Sequence, residues 1–223
     1  MTRPSFKTAG LSRRGILAVG SASIFLAGCG GSSLIGPSQD PLQIYVLQPP
    51  LQRLDGAPSV AWQLTVSPPD AAQSLQTTRI ALQRGETMDF YANAQWTDSV
   101  PQLLQSLLVQ AFEKSGSIKG VAPESAGVHG DMVLETEIRS FQANYEDQAG
   151  APDVVVTIVA RLLTAGSREV VGTLVSSHDA RAAQNTVPSV IQAFDSATGQ
   201  TLEEIVAWAL KAAPRTVAAA RHA

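Results

Sequence analysis

The side chains in this sequence that could do chemistry are few and unevenly placed. Cys29 is the sole thiol in 223 residues. It follows Leu26, Ala27 and Gly28 at the end of an apolar run that begins at Ile16. Small residues at 27 and 28 let the chain lie extended in a narrow peptidase groove, and the thiol behind them is then placed for acylation. The remaining polar groups form weaker constellations. Ser177-His178-Asp179 contains the residue types of a hydrolytic triad. Neighbours on a strand point to opposite faces, however, and a triad has to converge. The bland reading is a polar strand end. Glu135 and Glu137 do share a strand face, as a general acid and base would, but such a pair more often faces solvent. His129, His178 and His222 show no ligand spacing and have no cysteine pair nearby. No metal site and no cofactor is therefore expected. Trp62, Trp96 and Trp208 could line a lipid groove or a partner surface, although core packing is the commoner use of tryptophan. No catalytic residue is assigned, and the chain is not expected to be an enzyme.

The N-terminal segment carries the strongest signal. Arg3, Lys7, Arg13 and Arg14 precede the apolar run with no acid among them. A basic segment, a short apolar core and small residues at a cut site are the parts of a secretory signal peptide. The core is about 12 residues, short of the roughly 20 that a membrane-spanning helix needs. Leu26-Ala27-Gly28-Cys29 resembles the lipobox of bacterial lipoproteins at every position. Residues 1–28 are therefore expected to be removed by a cut between Gly28 and Cys29, leaving Cys29 as the lipidated N-terminus. Ser12-Arg13-Arg14-Gly15-Ile16-Leu17 resembles the twin-arginine export motif, while ordinary signal peptides also carry paired bases, so both export routes stay open. The residue after the cysteine is Gly30, not the aspartate that resembles an inner-membrane retention signal. That points to the periplasmic leaflet of the outer membrane.

Charge narrows the partners. The chain holds 16 Lys and Arg against 19 Asp and Glu, and four of the bases leave with the signal segment. The mature 195 residues then carry 12 bases against 19 acids, a formal charge of −7. This argues against nucleic acid, which demands clustered Lys and Arg. It also argues against a polybasic grip on anionic lipid. With Cys29 acylated no disulfide can form, so stability has to come from an apolar core, and one domain is the simplest count.

The elements that position these residues can be read along the chain. Residues 29–42, with Gly30-Gly31-Ser32-Ser33 and Gly36-Pro37-Ser38, read as the lipidated cysteine and a flexible tether. A strand over Gln43–Leu47 is followed by a Pro-rich loop holding Pro49, Pro50 and Pro58. Val60, Trp62, Leu64 and Val66 alternate with polar or small residues, as in a half-buried strand that Pro68-Pro69 ends. Arg79–Gln83 and Thr87–Ala94 read as a hairpin around Arg84-Gly85, with Met88, Phe90, Ala92 and Ala94 on one face. Asp98 or Ser99 caps a helix with Pro101 in its first turn. Its stripe runs Val100, Leu103, Leu104, Leu107, Leu108, Ala111 and Phe112, and Gly116 is placed to stop it. Strands follow over Met132–Phe141, Asp153–Leu163 and Glu169–Ser177, the middle one apolar on both faces and hence central. A last helix runs from about Pro188 to Leu210, where Gly199 weakens the middle and invites a break. The tail over 214–223 is expected to fray. The resulting fold class is α+β, a layered sandwich of a mostly antiparallel or mixed sheet of about six strands with two main amphipathic helices.

Several of these pieces, in this order, resemble the ABC-type transport auxiliary lipoprotein family, which includes the lipoprotein of the paraquat-inducible operon. They are Ile44-Tyr45-Val46-Leu47 after the tether, Arg79-Ile80 opening a strand, and Phe90-Tyr91 and Trp96 before the leucine-rich helix. Phe112-Glu113-Lys114-Ser115-Gly116 then leads into a short strand at Val121, a strand ends near Phe141, and the last helix carries Ala193-Phe194 and Ala207-Trp208. Order and spacing carry the resemblance, which spans most of residues 43–210. It implies a non-enzymatic domain over 43–213 that serves a transport system built around a mammalian-cell-entry (MCE) domain protein. Such systems move lipids or other hydrophobic compounds between the inner and outer membranes. The implied partners are the MCE protein and, through it, the ABC permease and ATPase. The membrane itself is reached through the N-terminal lipid, and homo-oligomerisation stays open. The sequence has no GxxxxGK[ST] phosphate loop, so this chain is not itself the ATPase. The competing readings are a structural or assembly lipoprotein of the outer membrane without an ABC partner, and a periplasmic hydrolase.

Overall fold

The computed structural model describes residues 41–146 and 150–213. Arg13, Arg14, the Leu26–Cys29 motif, the tether up to residue 40 and the tail from Pro214 lie outside them. The strands are β1 (Gln43–Tyr45), β2 (Val60–Val66), β3 (Asp70–Ala71), β4 (Arg79–Arg84), β5 (Thr87–Trp96), β6 (Ile118–Pro123), β7 (Met132–Tyr145), β8 (Asp153–Thr164) and β9 (Val170–Arg181). The helices are α1 (Val100–Ser115) and α2 (Val187–Ala212). The architecture is the expected α+β layering, and among the described residues the mixed sheet has nine strands, more than the about six expected. The additional strands are short pieces, and one of them, β3, has only two residues.

β7 is the organising strand. One edge pairs along its length with β8, antiparallel, and β8 pairs antiparallel with β9. The other edge is shared by three strands in turn, all parallel to it. Met132–Leu134 pairs with β2, Glu137–Ile138 with β3, and Ala143–Tyr145 with β4. The sheet thus divides into two wings beyond β7. One continues through β2 to β6, the other through β4 and β5 to β1. β8 is central, as its apolar faces required.

Both helices pack on one face of the sheet and touch each other, α1 over β6 and β2, α2 over β8 and β9. Their stripes and the inward strand residues make one continuous core. Ser99 precedes α1 in extended conformation and Gly116 ends it with φ 66. That left-handed conformation is one glycine adopts without steric cost. Every residue of the α1 stripe is buried except Leu103, which is half-buried. Each larger side chain buried there contributes about 1.5–3 kcal/mol before entropy costs. At the centre, the rings of Phe141 and Phe194 lie 4.9 Å apart and Trp96 meets Phe194 edge-on at 5.2 Å.

Three expectations need correction. β7 does not end at Phe141. Ile138 pairs with Ile158 but Ser140 with Thr157, so Arg139 is an extra residue that resets the alternation. Before it Met132, Leu134, Thr136 and Ile138 face the core; after it Phe141, Ala143 and Tyr145 do. A longer irregularity breaks the face assigned to β5. Asn93 adopts φ 54, and pairing jumps from Ala81↔Phe90 to Arg79↔Gln95. Met88 and Phe90 therefore lie on the side of the sheet away from the helices, while Ala94 and Trp96 are buried. Third, α2 is a single unbroken helix of 26 residues. Gly199 sits on its buried face, where a Cβ would be 3.0 Å from Pro50 Cδ. The glycine makes room for the Pro-rich loop and does not mark a hinge. No helix among the described residues is long and apolar enough to cross a membrane.

Candidate functional site

The fold gives each polar constellation a definite setting. β9 runs to Arg181, so Ser177-His178-Asp179 lies within a strand and not at its end. Ser177 exchanges a hydroxyl hydrogen bond with Thr157 of β8 at 2.7 Å. His178 turns to the opposite side and meets Glu204 of α2, Nε2 to carboxylate, at 2.9 Å. The two side chains point apart, as strand geometry demands, and Asp179 shares the face of Ser177.

A set the sequence reading missed sits beside them. Ser176 is fully buried and donates to the Glu204 carboxylate at 2.5 Å. Glu204 thus accepts from both Ser176 and His178. The Ser176 hydrogen bond, and next the histidine, hold its carboxyl below the usual carboxylate range, against the opposing effect of burial. The carboxylate bridges serine and histidine here. In a nucleophilic triad the histidine has to bridge, so this set ties α2 to the sheet and does not activate the hydroxyl. Glu204 stands 26 residues after His178, and no local spacing announces the contact.

Glu135 and Glu137 face away from the helices, as expected, and each is engaged by arginine. Glu137 accepts from Arg161 at 3.1 Å and from Arg139 at 3.3 Å, and Glu135 pairs with Arg168. Those guanidiniums, Arg161 first, lower the carboxyl pKa of Glu137. A general acid at neutral pH needs a raised one. The two glutamates form an exposed ion-pair strip, each pair worth little in solvent.

Trp62 and Trp96 are core residues, and neither indole N–H has a hydrogen-bond partner. Trp208 is half-buried, with its ring 3.3 Å from where a Cβ of Gly172 would stand. This packs α2 against β9 at a point where a Cβ at 172 would crowd the indole ring. Among the described residues no group of three His, Cys, Asp or Glu side chains could hold a metal. Near the end of β7, Tyr145 donates to Asn185 at 2.8 Å, and the Tyr91 hydroxyl meets that of Tyr145 at 2.8 Å. Burial, and next the Tyr145 hydrogen bond, keep Tyr91 protonated. Arg84 lies over the Tyr145 ring.

The Pro-rich loop is a strap laid over the helices. Pro49 is buried, Leu51 and Leu54 pack on the core, and Pro50 touches Gly199. Gln48 N–H donates to Asp195 of α2 at 2.6 Å, while burial raises the Asp195 carboxyl pKa. Just after β7, Glu146 is exposed. Large apolar side chains are open to solvent at the sheet edges. Ile44 of β1 and the flanking Leu42 and Val46 are exposed, as are Val170 and Val175 of β9.

The comparisons agree with this architecture. A crystal structure of a Xanthomonas campestris protein, described as a DUF330 family protein, superposes with a TM-score of 0.72 at 27% identity, covering 76% of this chain and 95% of that one. A second crystal structure, of an uncharacterized protein, gives 0.59 at 16% identity over 75% of this chain and 97% of that one, a likeness of fold. An uncharacterized protein of Bradyrhizobium diazoefficiens is 24% identical over 168 residues, 75% of this chain. The match covers 45% of that relative, so the chain spans about half its length. The profile of the family described as the ABC-type transport auxiliary lipoprotein component matches residues 45–206, from the end of β1 to the last turns of α2. This chain therefore belongs to the ABC-type transport auxiliary lipoprotein component family.

Proposed function

We propose that this protein is the non-enzymatic, lipid-anchored component of an MCE-type ABC transport system. It docks the periplasmic part of the MCE protein to the outer membrane and so assists passage of lipids or hydrophobic compounds between the two membranes. The observation that carries the reading is the family match, which runs through almost all of the described residues. The engagement of Ser176, Ser177, His178, Glu135, Glu137 and Glu204 in structural contacts supports a scaffold over a hydrolase. In this reading residues 1–28 are a signal peptide, 29–42 are the anchor and tether, and 43–213 are the docking domain.

The test is affinity capture of the full chain from gently solubilised membranes. An MCE protein with its permease and ATPase should be retained. Retention of barrel-assembly proteins in their place would move the protein to the structural-lipoprotein class. Cys29→Ser should abolish acylation, because a hydroxyl does not replace the thiolate in the acyl transfer. Mass spectrometry of the mature N-terminus reads this directly, and an unmodified end at another residue would overturn the anchor. A form lacking Cys29 should still bind the partner yet fail to restore barrier function in a deletion strain. Full complementation by it would refute membrane docking as the role.

A further inference from the structure

The first strand of the domain carries apolar side chains that the core does not use. Leu42, Ile44 and Val46 are 57%, 59% and 53% exposed. Ile44 lies in β1 and Leu42 and Val46 flank it; alternate residues of extended chain share a face, so the three form one line of about 13 Å. Tyr45 and Leu47 turn inward. Ile44 pairs with Gln95, and Gln95 with Arg79. Paired residues share a sheet face, so the stripe and Arg79 lie on the side away from the helices. The Arg79 guanidinium stands 3.7 Å from the centroid of the Phe90 ring on that side, and Met88 is exposed there too. β1 pairs only with β5 among the described residues, so its other edge is open. Residues 41–47 contain no charged side chain.

The chain ahead of the stripe indicates what covers it. Leu42 follows Cys29 by thirteen residues. Such a segment spans at most about 45 Å when fully extended, and about 20 Å as a root-mean-square coil. A lipid on Cys29 therefore keeps this strand within about 45 Å of the bilayer, nearer along the chain than any other strand of the sheet. We infer that Leu42, Ile44 and Val46 rest in the interfacial layer of the leaflet that holds the Cys29 lipid, with Arg79 reaching the lipid phosphates. The inference rests on the anchored reading of Cys29. Three half-exposed aliphatic side chains offer far less than the roughly 800 Å² per partner of a stable protein interface. A surface already tethered needs no such area, because the anchor supplies the local concentration. Aliphatic side chains enter the boundary between headgroups and acyl chains, and a guanidinium suits phosphate. The contact would fix the orientation of the domain, with the β1 edge toward lipid.

The test uses the full chain, processed in a bacterial host and reconstituted into vesicles of phosphatidylethanolamine and phosphatidylglycerol. With Cys29 acylated, Ile44→Cys provides one thiol for a bimane label, and Val175→Cys on β9 provides the control. Vesicles with acyl chains brominated near the headgroup should quench the label at 44 at least two-fold and leave that at 175 unchanged. Val46→Cys gives the same readout if Ile44→Cys does not fold. A label at 44 as open to aqueous iodide as the one at 175 would overturn the inference. So would a label shielded from iodide yet unquenched by bromolipid, since a second copy or another protein would then cover the stripe. A chain that fails to float with the vesicles would overturn the anchor itself, and the inference with it.

Discussion

Replacing Gly199 by alanine sets two well-known effects against each other. In the middle of a helix this change normally stabilises by about 0.5–1 kcal/mol, because glycine loses more backbone freedom on folding. Here the added Cβ would stand 3.0 Å from Pro50 Cδ and 3.2 Å from Pro50 Cγ. Ordinary contact between carbons is about 3.5–4.0 Å, so the proline ring has to retreat by several tenths of an ångström. It is poorly placed to do so. Gln48 N–H is held at 2.6 Å by Asp195, and Leu51 and Leu54 are packed on the core just beyond. Overpacking of this kind costs about 1–3 kcal/mol. We expect Gly199→Ala to destabilise by about 1 kcal/mol net, a fall in Tm of about 2–4 °C for a domain of this size. Urea unfolding followed by the fluorescence of buried Trp62 and Trp96 measures it. In a Pro50→Ala background the ring is gone, and the same substitution should stabilise by about 0.5–1 kcal/mol. The sign reversal is the diagnostic result. If Gly199→Ala stabilises the unmodified chain as much as it does the Pro50→Ala chain, the strap does not explain the glycine.

Three further outcomes follow from the packing and the charges. Phe194→Ala removes a fully buried ring between Trp96 and Phe141 and should cost about 3–5 kcal/mol; a loss under about 1 kcal/mol in denaturant would contradict the placement of the core. Gly130→Ala should cost about 1–3 kcal/mol by overpacking, because its Cβ would lie 2.8 Å from Thr65 N and 2.9 Å from Met132 O, backbone atoms that do not swing aside. Gly166→Ala, with open space around it, is the neutral control in the same thermal melts. The Asp195 carboxyl is raised by burial, outweighing the Gln48 N–H that lowers it. Its contribution is thus most favourable below the unfolded aspartate pKa and is lost as pH rises through the folded one. Asp195→Asn keeps an acceptor for Gln48, so it should be neutral or stabilising at pH 7. Stability profiles of the two proteins that stay parallel from pH 3 to 7 would refute this.

How much was legible in the sequence can be judged residue by residue. The α1 stripe and its glycine stop were legible because a helix repeats within a few residues, and Val100 to Gly116 holds the whole pattern. The β4–β5 hairpin was legible in its turn and illegible in its second arm. One left-handed residue, Asn93, changes which side chains face inward, and nothing in a strict alternation announces it. Arg139 hides the last four residues of β7 in the same way. The Ser176–Glu204–His178 set was not legible, since its members come from a strand and a helix that meet only through the shared core.

The sequence by itself determined the longer elements of this protein, its acidic balance and the motif at Cys29, because each is written in neighbouring residues. Only the tertiary structure decided which strands meet. Three segments far apart in the chain, β2, β3 and β4, share one edge of β7, all parallel to it. Parallel partners cannot be joined by a tight turn, so no short-range signal marks the pairing. That pairing is selected by burial of the combined apolar faces under α1 and α2. It also turns Gly199 from an apparent weak point of a helix into the seat of the Pro50 strap. And it leaves Leu42, Ile44 and Val46 beside a strand whose other edge pairs with nothing among the described residues.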